Sequence, residues 1–127
     1  MFKILLVEDN LDYRSALKHA LLKRYVDLET REASDVSDAL IIVDTYLPDL
    51  VIMDINLNSD VNGLDLTKTI TTMRSEIMVV ILSQHDIQEY RSAAQRNGAD
   101  CFFSKSSPLE SIFDYVDSLA LGNDQLH

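Results

Sequence analysis

Cysteine is all but absent from this chain. Cys101 is the only one in 127 residues, so no intrachain disulfide can form and a reducing, cytoplasmic setting is expected. Basic residues are scarce as well: 11 Lys and Arg stand against 21 Asp and Glu, a formal charge of −10. A polyanion such as DNA needs a basic face, so direct nucleic acid binding is not expected. An acidic balance of this kind suits a site that holds a cation. Long apolar runs are missing too. The longest, Ile77 to Leu82, is far too short to span a bilayer. The start, Met1-Phe2-Lys3-Ile4, leads straight into a strand pattern with no signal-peptide cleavage site, so no membrane association is expected. His19, His85 and His127 are scattered and make no zinc spacing. No repeat, low-complexity stretch or linker interrupts the chain. The expectation is one domain over residues 1–121 and a polar tail over 122–127.

What is present is organised around Leu50-Val51-Ile52-Met53-Asp54. Four apolar residues running into an acid read as a strand buried on both faces, with the acid where the strand leaves the core. A lone strand-end Asp is more often a turn residue, so the rest of the chain has to decide its role. Phe2 to Val7 is a first strand ending on Glu8-Asp9, followed by a helix with Tyr13, Ala16, Leu17, Ala20 and Leu21 at helical spacing. Val26 to Arg31 reads as an edge strand. Ser34 reads as the N-cap of a helix with Val36, Ala39, Leu40 and Val43 inward, stopped by Pro48. After the central strand comes a polar loop, Asn56 to Gly63, then a helix with Leu66, Ile70 and Met73. Ile77 to Leu82 is the fourth strand and runs into Ser83. Asp86 and Glu89 read as a capping box for a helix with Ile87, Tyr90 and Ala94 inward, ended by Asn97-Gly98. Asp100 to Ser104 is the fifth strand. Ser107-Pro108-Leu109-Glu110 reads as the start of a last helix, which buries Leu109, Ile112, Phe113, Val116 and Leu119 and ends near Gly122. Five strands alternating with five helices imply a doubly wound parallel sheet covered on both faces.

In such a sheet the strand ends share one edge, and chemistry collects there. Strand one supplies Glu8 and Asp9, strand three Asp54, strand four Ser83, and strand five the following Lys105. If strands one and three are neighbours, three carboxylates crowd together, which needs a cation. Oxygen ligands suit Mg²⁺ or Mn²⁺. Lys105 adds a point charge for an anion and Ser83 a hydroxyl donor. Metal, lysine and hydroxyl around a carboxylate describe a phosphoryl-transfer site with Asp54 as nucleophile.

With these residues in these places, the chain resembles the receiver domain of two-component response regulators. The segment Gly98-Ala99-Asp100-Cys101-Phe102-Phe103-Ser104-Lys105-Ser106 resembles that family's fifth-strand motif, and the likeness runs from residue 2 to about 121. The resemblance implies a flavodoxin-like fold with strand order 2-1-3-4-5. It implies that Asp54 accepts a phosphoryl group from a sensor histidine kinase or a histidine phosphotransfer protein. Glu8 and Asp9 would hold Mg²⁺ with Asp54 and the backbone carbonyl of Asn56, and Lys105 would pair with the phosphoryl oxygens. Ser83 and Phe102 would form the switch pair. Asn56 and His85, beside the site, are candidate modulators of phosphate lifetime.

The chain departs from the family's pattern in places. Asn58 and Ser59 stand where a proline is frequent, the loop to Gly63 is about one residue longer than usual in the family, and Pro108 comes three residues after Lys105. A haloacid-dehalogenase-like phosphohydrolase would need a second acid where Asn56 stands, and amide chemistry cannot replace it. A flavin carrier would need a hydroxyl-rich loop where Glu8-Asp9-Asn10 would repel phosphate. A pseudo-receiver, binding partners without phosphorylation, would not need the full set of Asp9, Asp54, Ser83 and Lys105. Output is expected in trans, through residues 86–120, to an effector protein or a second copy of the domain.

Overall fold

The computed structural model describes residues 2–57 and 62–125. Ten elements alternate: β1 Phe2–Val7, α1 Leu11–Arg24, β2 Leu28–Ala33, α2 Val36–Tyr46, β3 Leu50–Asp54, α3 Gly63–Met73, β4 Met78–Ser83, α4 Gln88–Arg96, β5 Cys101–Ser104 and α5 Glu110–Gln125. The strands form one parallel sheet in the order β2-β1-β3-β4-β5. This is the flavodoxin-like arrangement that the resemblance implies. Among the described residues no helix is long and apolar enough to cross a membrane.

Strand side chains alternate between faces, and the apolar runs therefore feed two separate cores. Leu5, Val7, Val51, Met53, Val79 and Ile81 pack under α2, α3 and α4 through Ala39, Val43, Leu66, Ile70 and Ala94. Ile4, Leu6, Leu50, Ile52, Val80 and Leu82 pack under α1 and α5 through Leu17, Leu21, Ile112 and Val116. Every residue of β3 is buried, including Asp54.

Several local expectations need correction. The edge strand begins at Leu28, two residues later than expected, because Val26 is 97% exposed in the turn after α1. Asp35, not Ser34, caps α2, its carboxylate accepting from the Asp38 N–H at 2.9 Å. Asp86 and Glu89 form no capping box. Ile87 holds the cap position of α4 without a side-chain bond and is 41% exposed, while Asp86 pairs with Arg91. Ala16 and Met73 face solvent. The last helix begins at Glu110, after a tight turn in which the Ser111 N–H donates to the Pro108 carbonyl, and it continues past Gly122 to Gln125. Asn58 and Ser59 lie outside the described residues, as does His127.

Ion pairs brace the two outer elements. Glu32 on β2 accepts from Arg14 and Lys18 on α1, each at 3.0 Å. Burial works to raise the Glu32 pKa, but the two cations outweigh it and hold the carboxyl below its ordinary range. A depressed folded-state pKa contributes stability above the unfolded value and loses it as pH falls through the folded one. Partly exposed pairs are worth little each, so Glu32→Gln should lower stability by about 1 kcal/mol at pH 7. The difference from wild type should shrink once pH drops below 4.5, the ordinary value. Urea midpoints at pH 7 and pH 3 check this; a constant difference at both would contradict it.

Candidate functional site

The sheet register sets the site. Val7 pairs with Met53, and Asp54 pairs with Leu82. Glu8, one residue beyond Val7, is thus level with Asp54 on the neighbouring strand. Ser83 pairs with Ser104, and the Lys105 N–H donates to the Ser83 carbonyl at 2.8 Å, which brings Lys105 to the same edge.

Carboxylate oxygens of Glu8, Asp9 and Asp54 all lie within 4.8 Å of one another. Glu8 and Asp54 are buried, at 5% and 4% exposure. The Lys105 ammonium binds Glu8 Oε1 directly and lies 3.5 Å from Asp54 Oδ1. Burial works to lower the Lys105 pKa, but the Glu8 and Asp54 carboxylates override it and hold it above the ordinary lysine range. Burial pushes the Asp9 carboxyl up, and the Glu8 carboxylate beside it adds to the shift. Three acids and one ammonium leave two negative charges in a cavity of about 310 Å³ lined by Glu8, Asp9, Asn10, Asp54, Asn56, Leu57, Gln84 and Lys105. An all-oxygen donor set with that residual charge fits a hard divalent cation.

The chain's ends of β1 and α1 hold these groups in place. Asn10 caps α1, its side chain accepting from the Tyr13 N–H at 3.0 Å, and its own N–H donates to Glu8 Oε2 at 3.2 Å. Arg14 ties the Glu8 carbonyl to Glu32 on β2. The Tyr13 ring stands 4.5 Å from the Lys105 nitrogen.

Five of the residues singled out in the sequence therefore converge: Glu8, Asp9, Asp54, Asn56 and Lys105. Three do not line the cavity. The Ser83 hydroxyl is fully buried and engaged with the His85 backbone, accepting from its N–H at 3.0 Å and lying 3.1 Å from its carbonyl. The His85 ring is turned to Tyr90, edge-on at 6.4 Å. Phe102 packs against the α2–α3–α4 core with the Arg91 guanidinium 4.7 Å over its ring. Sequence reasoning did not single out Gln84, Asn10, Arg14 or Gly63. Gln84 had one usable signal, its place immediately after a strand-end Ser.

The response regulator receiver domain family matches residues 4–117. The chain belongs to that family. The receiver domain is 26% identical over 125 residues to the transcriptional regulatory protein DegU of Brevibacillus brevis, covering 98% of this chain and 52% of that protein. It spans about half the length, or less, of the first curated relatives it matches. Among solved structures, the receiver domain of NtrX from Brucella abortus is 32% identical with a TM-score of 0.82, covering 90% of this chain and 94% of that one. A Burkholderia pseudomallei response regulator solved with a phosphorylated aspartic acid, a calcium ion and citrate shares the fold at a TM-score of 0.81 and 21% identity, covering 97% of this chain and 75% of that one. The chain is thus a receiver domain of a two-component response regulator, and its three acids, Glu8, Asp9 and Asp54, are grouped so that they could hold a metal ion.

Gly63 closes the receiver's central loop against the site. Its N–H donates to the Ile55 carbonyl at 2.8 Å, and a Cβ placed on it would meet the Asp54 carbonyl oxygen at 2.0 Å. Alanine at an open helix start stabilises; here it must push α3 away from Asp54. Gly63→Ala should lower stability by about 1–3 kcal/mol and shift the amide NMR resonances of Asp54 to Leu57. A stability equal to or above wild type would show that the backbone approach is slack.

Proposed function

We propose that Asp54 is the phosphoacceptor. A carboxylate oxygen of Asp54 bonds to phosphorus of a phosphohistidine while the P–N bond breaks, and the imidazole leaves with the electron pair. The donor is a sensor histidine kinase or a histidine phosphotransfer protein. The observation that carries this reading is the buried Lys105 ammonium shared between Glu8 and Asp54 at the mouth of an acidic cavity. A purely structural pair would not need a third carboxylate, Asp9, beside it.

Mg²⁺ or Mn²⁺ would be held by Glu8, Asp9 and Asp54 with the backbone carbonyl of Asn56, and would neutralise charge on the transferring phosphoryl oxygens. Lys105 then has a second task. Once the acids are neutralised, its ammonium is free to turn from Glu8 toward the phosphoryl group. Asn56 lines the cavity and can orient a water toward the phosphoryl group, so of Asn56 and His85 it is the one we assign to phosphate lifetime.

Output follows from Ser83 and Phe102. The Ser83 hydroxyl gives up its bonds to the His85 backbone and turns to the phosphate, and Phe102 moves into the space vacated. The segment between them, residues 84–101, is where the change reaches the surface. The partner is an effector protein or a second copy of the domain, docking over residues 86–120. Glu89 and Arg96 are exposed there and suit charge substitution as probes. Nucleic acid is not a partner we assign to this domain, given its charge of −10.

Two measurements test the chemistry and the switch. With Mg²⁺ and a small phosphodonor, mass spectrometry should find one added phosphoryl group, absent in Asp54→Asn. Asp9→Ala should need on the order of tenfold more Mg²⁺ for the same rate, the loss expected for about 1.4 kcal/mol of cation binding. An undiminished yield in Asp54→Asn would sink the assignment. Separately, Ser83→Ala should accept phosphate yet lose the phosphorylation-dependent NMR shifts around residues 84–105. Wild-type-like shifts in that variant would reject Ser83 as the relay.

A further inference from the structure

We infer that Tyr13 is a positioning residue for Lys105, its ring face forming the third wall of the ammonium's cage. The inference rests on the role given to Lys105 above. Two walls are the carboxylates of Glu8 and Asp54. Both are proposed metal ligands, so both lose their hold on Lys105 when the site is loaded. An ammonium left with neither partner would swing into solvent along a flexible four-carbon stem. The Tyr13 ring lies on its other side, 4.5 Å from Nζ, within reach of a cation–π contact that no metal competes for.

The placement of the ring is built in. Tyr13 sits in the first turn of α1, its N–H held by the Asn10 cap at 3.0 Å. Its ring is half-buried against the α1–α5 core, beside Leu17. The Lys105 side chain is 9% exposed, so the contact is largely desolvated, the setting in which a cation–π contact is strongest. It is the ring face that meets the ammonium, so phenylalanine should serve and an aliphatic side chain should not. The cap that starts α1 thereby also sets the position of a lysine on the far side of the sheet.

The test is a double-mutant cycle on the full chain, with phosphoramidate as donor and Mg²⁺ present. Tyr13→Leu should slow phosphorylation about tenfold, or about 1.4 kcal/mol, and Tyr13→Phe should restore most of the rate. In a Lys105→Ala background, Tyr13→Leu should change the rate less than about twofold. A second readout needs neither metal nor phosphate. The Lys105 Hε protons should be shifted upfield by the ring current in wild type and Tyr13→Phe, and should lose that shift in Tyr13→Leu. Tyr13→Met replaces Tyr13→Leu if the latter does not fold. The inference alone is overturned if Lys105→Ala is slow while Tyr13→Leu is as fast as wild type, or if Tyr13→Leu slows both backgrounds equally. If Lys105→Ala is as fast as wild type, the role of Lys105 falls and the inference falls with it.

Discussion

The repulsion among three carboxylates at one sheet edge is the constraint on which the rest of this receiver domain depends. Parallel register places Glu8 level with Asp54, and Asp9 follows Glu8 directly. Two of the three acids are almost wholly buried, where unpaired charge is expensive. Lys105 answers part of that charge, and the balance of effects on it is informative. Burial alone would favour the neutral amine, yet the two carboxylates hold its pKa up. Breaking such a pair from either side leaves a buried charge uncompensated, which costs about 3–5 kcal/mol. The site is therefore tense as it stands, and a divalent cation held by the three acids would relieve that tension.

Holding like charges together requires a frame that does not yield. Two apolar layers provide it, one on each face of the sheet, and both reach to within a residue of the site. Val7, Met53 and Leu82 are fully or nearly fully buried, and each immediately precedes or pairs with a site residue. Gly63 adds a second restraint by laying the start of α3 against the backbone of Asp54. Arg14 adds a third, tying the Glu8 carbonyl to β2. The acids are thus fixed by backbone, and only their side-chain torsions remain to respond to ligands.

This division explains what could be read from the sequence. Buried strands announce themselves as continuous apolar runs, and a residue just beyond such a run has its position set by the sheet. Glu8, Asp9, Asp54 and Lys105 were legible for that reason. The edge strand was misplaced by two residues because Val26 mimics the alternation of β2 from inside a turn. Adjacent Ser34 and Asp35 are both competent caps, and only the approach geometry selects Asp35. Asp86 has the spacing of a capping residue but meets Arg91, a competitor that spacing does not reveal. Tyr13 has the phase of a packing residue, and nothing local shows that its ring meets a lysine 92 residues away on the chain. The Ser83 hydroxyl has the right position, but its present bonds run to the His85 backbone rather than into the cavity.

Those bonds define the energy scale of the proposed switch. Ser83 would exchange two neutral hydrogen bonds, worth about 0.5–1.5 kcal/mol each, for one charge-assisted bond of about 1.5–3 kcal/mol. The exchange is close to balanced, so phosphate would tip it without overwhelming it. Phe102 is restrained on a similar scale, by its core contacts and by the Arg91 guanidinium over its ring; an exposed cation–π contact contributes about 0.5–1 kcal/mol. Arg91 in turn is tied to Asp86, in the same short segment that carries His85. Moving Ser83 would therefore disturb the segment that holds Arg91, and through Arg91 the ring of Phe102. The start of α4 has no side-chain cap at Ile87 to resist this. The β4–α4 segment lies in the chain between the two residues whose movements the proposed switch has to couple.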